Sequence, residues 1–66
     1  MTQTNQFQPL ALGIDDAARV IGVARSMLYE IVARGDLPSF KLGRRRMILA
    51  KELETYINRV AVENAR

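Results

Sequence analysis

Residues 13–46 read GIDDAARVIGVARSMLYEIVARGDLPSFKLGRRR, and this stretch decides the fold. Two segments with helical periodicity, residues 14–21 and 25–34, lie on either side of a tight turn at Gly22 and Val23. Two helices joined by a turn of about three or four residues, often with glycine, form a helix-turn-helix. The second helix of such a unit can enter the major groove of DNA. The stretch therefore predicts a helix-turn-helix.

The first predicted helix has one apolar face and an acidic first turn. Its apolar positions follow the i, i+3, i+4, i+7 spacing of a buried face and are Ile14, Ala17, Ala18 and Ile21. Gly13 is the expected N-cap, and Asp15 and Asp16 favour the positive end of the helix dipole. Asp16 can also reach back to the backbone of the cap. An acid–base role is the alternative, but without partner residues capping is the preferred interpretation.

The second predicted helix divides into a core side and an outer side. Leu28, Ile31 and Val32 form the core stripe, with Met27 at its edge. The outward positions of a helix with 3.6 residues per turn are Ser26, Tyr29, Glu30 and Ala33, with Arg25 at the flank near the N-terminus. The outer side thus carries polar groups that are available to a partner.

Glycine marks the expected end of both helices. Gly22 and Gly35 can adopt the left-handed backbone of a helix C-terminus because they lack a Cβ. Ala24 is the expected N-cap of the second helix, although alanine lacks the side-chain oxygen of a strong cap. Leu37, beyond the second helix, is expected to plug the core.

A hairpin is predicted after the helices. Residues 39–42 alternate polar and apolar, residues 43–45 make a turn, and residues 46–48 return as a second strand. Its tip carries three consecutive arginines. A two-stranded hairpin is unstable alone, so its apolar residues should pack on the helices. Those residues are Phe40, Leu42 and Ile48.

A third helix over residues 50–62 is expected to close the core. Its apolar stripe consists of Leu53, Tyr56, Ile57 and Val60. Val62 lies opposite this stripe, so we expect the end of the helix to fray, with a partner contact there as the alternative. The domain organisation is then a flexible tail at residues 1–11, a domain at 12–62 and a short tail at 63–66. The fold class is mainly α with a small β-hairpin, a winged helix-turn-helix.

Length and composition exclude several functional classes. A domain of 66 residues buries only about 60% of its unfolded surface, which leaves no room for an enclosed substrate cavity. The chain has no cysteine and no histidine, so it lacks a thiolate nucleophile and the commonest metal ligand and general base. No apolar run approaches the roughly 20 residues of a membrane span. We expect a soluble cytoplasmic protein that is not an enzyme, with no catalytic residue, cofactor, metal or membrane partner.

Positive charge is concentrated in the middle of the chain. Residues 19–46 carry seven cations and two carboxylates, whereas residues 1–18 carry two carboxylates and no cation. Residues 47–66 carry three charges of each sign. Solubility alone does not explain this position, and a basic patch of this kind is typical of a protein that binds a polyanion.

The sequence resembles the excisionase-type DNA-binding domains, small winged helix-turn-helix proteins of the MerR-like superfamily. The resemblance covers roughly residues 12–58 and rests on IDDAARVIGVARSMLYEIVARGDLP, KLGRRRMI and KELETYI in that order. The sequence departs from the usual pattern at Ala24, commonly serine, and at Gly13, commonly threonine. Both departures weaken helix caps and leave the basic residues in place.

The resemblance implies that the second helix enters the major groove and that the hairpin, as a wing, contacts the backbone or the minor groove. The DNA-binding residues that it implies are Arg25, Ser26, Tyr29, Lys41, Arg44, Arg45 and Arg46. A second tier consists of Arg19, Glu30 and Arg34. Glu30 is often basic in relatives, so its role is open. It can accept from a cytosine N4 group or pair with Arg34 four residues on, and we favour the pair.

The leading functional hypothesis is a recombination directionality factor. Such an excisionase binds double-stranded DNA beside an attachment site, bends it and helps an integrase, a tyrosine or serine recombinase, to excise a prophage in the bacterial cytoplasm. We expect several copies to bind side by side on DNA, and no small-molecule ligand. A small transcriptional regulator is the second hypothesis. A protein-interaction module, such as an antitoxin or adaptor, is the third and would use the same helix face.

Overall fold

The structure is a computed structural model that describes residues 9–65. It contains three helices, α1 (Ile14–Ile21), α2 (Arg25–Ala33) and α3 (Ala50–Asn64). Three strands, β1 (Ala11–Gly13), β2 (Phe40–Leu42) and β3 (Arg45–Leu49), form one antiparallel sheet in the spatial order β1-β3-β2. This arrangement confirms the predicted winged helix-turn-helix. Residues 1–8 of the predicted N-terminal tail and residue 66 lie outside the described residues, and the domain boundaries stay a prediction.

Helix α1 begins and ends where the sequence predicts. Gly13 precedes it with an extended backbone (φ −68°, ψ 166°), and Gly22 closes it in the left-handed region (φ 78°). The N–H of Gly22 donates to the carbonyl of Arg19 (3.2 Å), and the N–H of Val23 donates to that of Ala18 (3.0 Å). These bonds satisfy carbonyls that a helix end otherwise leaves unpaired. The glycine thus sets the turn between the two helices.

A left-handed glycine also follows α2, namely Gly35, whose φ is 83°. The N–H of Gly35 donates to the carbonyl of Val32 (3.0 Å), and the N–H of Asp36 donates to that of Ile31 (3.2 Å). At the other end, Ala24 is extended and makes no side-chain cap bond. The cap residue therefore satisfies none of the free N–H groups in the first turn of α2.

One core joins the helices and the sheet. Its buried residues are Ile14, Ala17, Ala18, Leu28, Ile31, Leu37, Ile48 and Leu53. Each helix supplies the face that its periodicity predicts, and Leu37 is buried as expected, with 1% of its surface exposed. Partly buried side chains pack around this cluster, namely Leu12, Ile21, Val23, Val32 and Tyr56. The core thereby fixes α1 and α2 relative to the sheet.

Helix α3 is slightly longer than predicted, and α2 is slightly shorter. α3 continues to Asn64, whose side-chain amide donates to the carbonyl of Val60 (2.9 Å), whereas α2 ends at Ala33. Leu53 is buried, and Val62 is 75% exposed, as the periodicity of α3 predicts. Fraying of this end stays a prediction.

Strand β1 is the element that the sequence does not reveal. It pairs with β3 so that Leu12 lies opposite Ile48, and the N–H of Ala50 donates to the carbonyl of Leu10 at 2.9 Å. Three residues that end in a glycine are too few to show the two-residue periodicity of a strand. Because of β1, the hairpin belongs to a three-stranded sheet, which removes the instability of an isolated hairpin.

Of the three hairpin residues predicted to pack on the helices, Ile48 is buried as expected and Leu42 is not. Phe40 lies opposite Met47, and residues directly opposite each other share a face of the sheet. Ile48 follows Met47 in β3, so it points to the other face, where it is fully buried. Leu42 shares the face of Phe40 and is 62% exposed, so the prediction that it packs on the helices was wrong. Phe40 itself is only half-buried.

Candidate nucleic-acid interface

The outer face of α2 is exposed and polar. Its exposed residues include Arg25, Ser26, Tyr29 and Glu30. Leu28 is fully buried, whereas Tyr29, the next residue, is 48% exposed. Since a helix turns by about 100° per residue, this contrast fixes which side of α2 faces outward. The helix has the orientation that the sequence predicts.

The three arginines of the hairpin lie in different environments. Arg44 is in the turn, whereas Arg45 and Arg46 belong to β3. The prediction of a three-residue turn that also holds Arg45 was wrong by one residue, because Leu42 pairs with Arg45 and leaves only Gly43 and Arg44 between the strands. Successive residues of a strand point to opposite faces, so the side chains of Arg45 and Arg46 diverge.

The guanidinium of Arg45 lies over the start of α1. A Cβ at Gly13 would lie 2.6 Å from Nη2 of Arg45, so glycine leaves the space that this guanidinium occupies. The φ of Gly13 is one that any residue can adopt, so close approach rather than backbone conformation gives this glycine its role. On the other face, Nη1 of Arg46 donates to Oγ of Ser39 at 3.0 Å. Arg46 thus has a hydrogen-bond partner within the hairpin, and Arg45 lies close to the backbone of Gly13.

A concavity of about 230 Å³ brings α2, the hairpin and the start of α1 together. Its lining consists of Gly13, Ile14, Asp15, Tyr29, Arg44, Arg45 and Arg46. The volume is below the roughly 300–1,000 Å³ of small-molecule pockets. Three arginines and a tyrosine among the lining residues instead suit the phosphate oxygens of a nucleic acid. Four of the predicted site residues therefore form one surface.

Arg25 borders this concavity through two contacts. Its Nε lies 3.3 Å from Oδ1 of Asp15 in α1. Its guanidinium carbon also lies 6.0 Å from the centroid of the Tyr29 ring, at the limit of a cation–π contact. Both charged side chains remain largely accessible, with 66% of Arg25 and 60% of Asp15 exposed. Arg25 is thus placed beside the concavity and stays open to solvent.

Ser26 and Lys41 lie outside the lining of the concavity. Ser26 is exposed in the first turn of α2, directly after Arg25. Lys41 is exposed on β2 and lies opposite Arg46 in the sheet. They extend the polar surface along α2 and along the hairpin, respectively.

The model of a family described as the helix-turn-helix domain matches residues 11–61, which include β1 and most of α3. The chain belongs to this helix-turn-helix domain family. A similar protein is a probable excisionase of Saccharopolyspora erythraea, which is 30% identical over 54 residues. That match covers 82% of this chain and 55% of the relative, so the chain spans about half of the relative's length. No solved structure matches the chain.

Membership of the helix-turn-helix domain family supports DNA binding by this domain. The resemblance to excisionases is confirmed at the level of this family. The MerR-like relationship stays a prediction. Within residues 9–65 of the helix-turn-helix domain, no helix is long and apolar enough to span a membrane, and no three acidic side chains converge as metal ligands.

The second-tier residues of the helix-turn-helix domain mostly pair with carboxylates. Nη1 of Arg19 lies 3.0 Å from Oδ1 of Asp16, so this carboxylate of the first turn pairs with a cation of its own helix. Nη2 of Arg34 lies 3.0 Å from Oδ2 of Asp36. The predicted pair of Glu30 with Arg34 was wrong, because the chain reversal after α2 brings Asp36 to that guanidinium. Within the described part of the chain, Glu30 has no salt-bridge partner.

Besides the core residue Ile14, two lining residues of the concavity were not predicted as site residues. Gly13 and Asp15 are predicted only as the cap and the first turn of α1, and this local role is compatible with their place beside the hairpin. No local signal identifies them, because the hairpin residues that reach them lie about 30 positions further along the chain. A long-range contact places both residues in the site.

Proposed function

We propose that this domain is a sequence-specific architectural DNA-binding protein that acts as the excisionase of a phage or integrative element. It binds and bends attachment-site DNA and directs an integrase toward excision. The observation that carries the proposal is the concavity in which Tyr29 of α2 meets Arg44, Arg45 and Arg46 of the hairpin. Similarity to a probable excisionase supports the recombination setting.

Helix α2 is the proposed reading helix. The N-terminal residues of such a helix usually reach base edges, and the first turn of α2 exposes Arg25 and Ser26. Arg25 can contact O6 and N7 of a guanine with both terminal nitrogens. The hydroxyls of Ser26 and Tyr29 suit phosphate or sugar oxygens, which fix the register of the protein on the duplex. α2 thus supplies both sequence reading and orientation.

The hairpin is the proposed wing, which holds the backbone or the narrow minor groove beside α2. Arg44, Arg45 and Arg46 line the concavity, and Lys41 continues the basic surface on β2. Contacts of cations with phosphates carry no sequence information, so the wing supplies mainly affinity. Second-tier contacts in this proposal are Arg19, Glu30 and Arg34, of which the two arginines must share their guanidinium groups with aspartates.

The proposal is tested by footprinting of the element's own attachment region and by excision in vitro with the element's integrase. We expect protected sites beside the crossover region and an increase in excision when the protein is added. Protection of a promoter without any effect on excision would favour the small transcriptional regulator. Equal affinity for attachment-site DNA and random duplexes would contradict sequence-specific binding, and binding to acidic proteins alone would favour an interaction module.

We predict that the free protein is a monomer and that several copies bind adjacent sites on DNA. One small domain buries only about 600–1,000 Å² of protein surface on DNA, which is little for finding one site in a genome. Head-to-tail contacts between copies need not close into a ring, so copies can extend along DNA and help to bend it. The segments proposed for these contacts are residues 1–8, 62–66 and the wing, with Val62 75% exposed.

This assembly is measured by sedimentation of the free protein and by a gel-shift titration on a long attachment-site fragment. Successive shifted bands that appear cooperatively are the expected result. A stable dimer without DNA, or a single shift that saturates without cooperativity, would contradict it.

A further inference from the structure

The concavity beside α2 contains a carboxylate, although its proposed ligand is the negatively charged backbone of DNA. Among the described residues that line it, Asp15 is the one acidic side chain, and it lies with Arg44, Arg45 and Arg46. A carboxylate in such a place repels the phosphates that the arginines attract. Its presence therefore calls for a role that outweighs this repulsion.

The contact of Asp15 with Arg25 supplies such a role. Oδ1 of Asp15 lies 3.3 Å from Nε of Arg25, whereas neither Nη1 nor Nη2 of Arg25 donates a side-chain hydrogen bond within the described residues. A guanidinium has five N–H donors in a rigid fork. A carboxylate on the Nε side leaves the two terminal nitrogens available for the O6 and N7 acceptors of a guanine.

The backbone that carries Asp15 is fixed relative to α2. Asp15 follows Ile14, which is 4% exposed, and Arg25 lies in the same helix as Leu28, which is fully buried. The core therefore holds both backbones, and the ion pair spans the two helices of the helix-turn-helix. Ala24 before Arg25 offers no side-chain group that could orient it. Asp15 thus limits the rotamers of a side chain that is otherwise open to solvent.

Stability does not explain this ion pair. Both partners are more than half exposed, and exposed pairs contribute little to folding. An effect on the helix dipole does not distinguish Asp15 either, because Asp16 lies in the same first turn of α1. Asp16 pairs with Arg19 instead, and it does not line the concavity. The two neighbouring carboxylates therefore differ in the arginine that they pair with and in whether they line the concavity.

We propose that Asp15 is a positioning residue that orients the guanidinium of Arg25 for reading a base in DNA. The inference rests on the proposed DNA-binding function. The side chain of Asp15 itself does not touch the base. It reduces the number of conformations that Arg25 must give up on binding, and it aims the two terminal nitrogens of Arg25 away from α1.

The test compares Asp15→Asn with Asp16→Asn, which removes the same charge one residue away. Dissociation constants for attachment-site and random duplexes are measured at one salt concentration, together with a panel of single-base variants of the site. A bidentate arginine–guanine contact discriminates by about 5- to 150-fold, so we expect Asp15→Asn to lower the ratio of specific to random affinity by about 5- to 20-fold. Affinity for random DNA should rise slightly, because a negative charge is lost.

The base panel and a double-mutant cycle identify the mechanism. Asp15→Asn should relax preference at the same base pair as Arg25→Ala, and it should have no further effect on the affinity ratio in the Arg25→Ala background. Asp16→Asn should leave the ratio and the base preference unchanged. Thermal melts of all variants should agree closely, because both aspartates are mainly exposed.

Two other results would overturn the positioning role. If Asp15→Asn raises the specific affinity, the ion pair restrains Arg25 from DNA instead of aiming it. If it leaves the ratio unchanged while the wild-type protein prefers attachment-site DNA, Asp15 does not position Arg25 and the proposed function still holds. A wild-type protein without any sequence preference would instead contradict the proposed function, and the positioning role with it.

Discussion

Ile48→Ala is expected to lower the free energy of unfolding by about 2–5 kcal/mol, whereas Leu42→Ala in the neighbouring strand should change it by less than about 0.5 kcal/mol. Ile48 is fully buried in the core, and Leu42 is 62% exposed. Removal of the Ile48 side chain loses apolar burial and leaves a cavity, because close-packed neighbours relax only partially. Truncation of Leu42 removes atoms that already contact water.

The effect should be severe because the domain is small. Native domains are stable by only about 5–15 kcal/mol, and a chain of 66 residues falls at the low end of that range. The loss at Ile48 is therefore a large fraction of the total. The free energy of unfolding of both variants is measured by urea denaturation, monitored by circular dichroism. Leu28→Ala serves as a second variant at a fully buried position. Similar losses for Leu42→Ala and Ile48→Ala would mean that the hairpin packs through both faces.

The local part of the fold could be predicted because its signals are local. Helix α1 has the predicted limits, and both glycine-terminated helix ends are where the sequence places them. A helix is specified by periodicity and by caps within a few residues, and glycine is the residue that a left-handed helix end favours. The buried residues of α1 and α2 follow from the same periodicity.

The sheet could not be predicted to the same degree, because its pairing is not local. β1 has three residues, and its partner β3 lies more than 30 positions further along the chain. The alternation of Phe40 with Lys41 and Leu42 does indicate a strand, but only the register with β3 determines which face meets the core. That register places Phe40 with Met47 and buries Ile48 on the opposite face.

The features of the candidate site also fall into local ones, which the sequence predicts, and long-range ones, which it does not. The outward direction of Arg25, Ser26 and Tyr29 follows from the period of α2. The contact of Arg45 with Gly13 and the pairing of Asp15 with Arg25 depend on elements that meet only in the folded chain. Arg34 was expected to pair with Glu30 on the same helix. The left-handed backbone at Gly35 instead brings Asp36 to the guanidinium of Arg34. Sequence thus predicts the candidate cations better than their partners.

The double variant Arg44→Ala, Arg45→Ala is expected to weaken binding to attachment-site and random DNA alike. Both side chains line the concavity beside Tyr29, one from the turn and one from β3. If each contacts one phosphate, the slope of log affinity against log salt should fall by about 2, since about one counterion is released per phosphate contact. Because phosphate contacts carry no sequence information, preference between sites should be nearly unchanged.

Two controls separate this effect from loss of charge and from loss of base reading. Lys51→Ala with Arg59→Ala removes two cations from α3, neither of which lines the concavity, and should change the salt slope much less.

Arg25→Ala should cost about 1–3 kcal/mol at the cognate site and relax preference at one base pair. The affinities of the two double variants and of Arg25→Ala for attachment-site and random duplexes are measured over a range of salt concentrations. An unchanged slope for the double variant would exclude the hairpin from DNA contact, and a uniform loss over single-base variants for Arg25→Ala would reassign that residue to a phosphate.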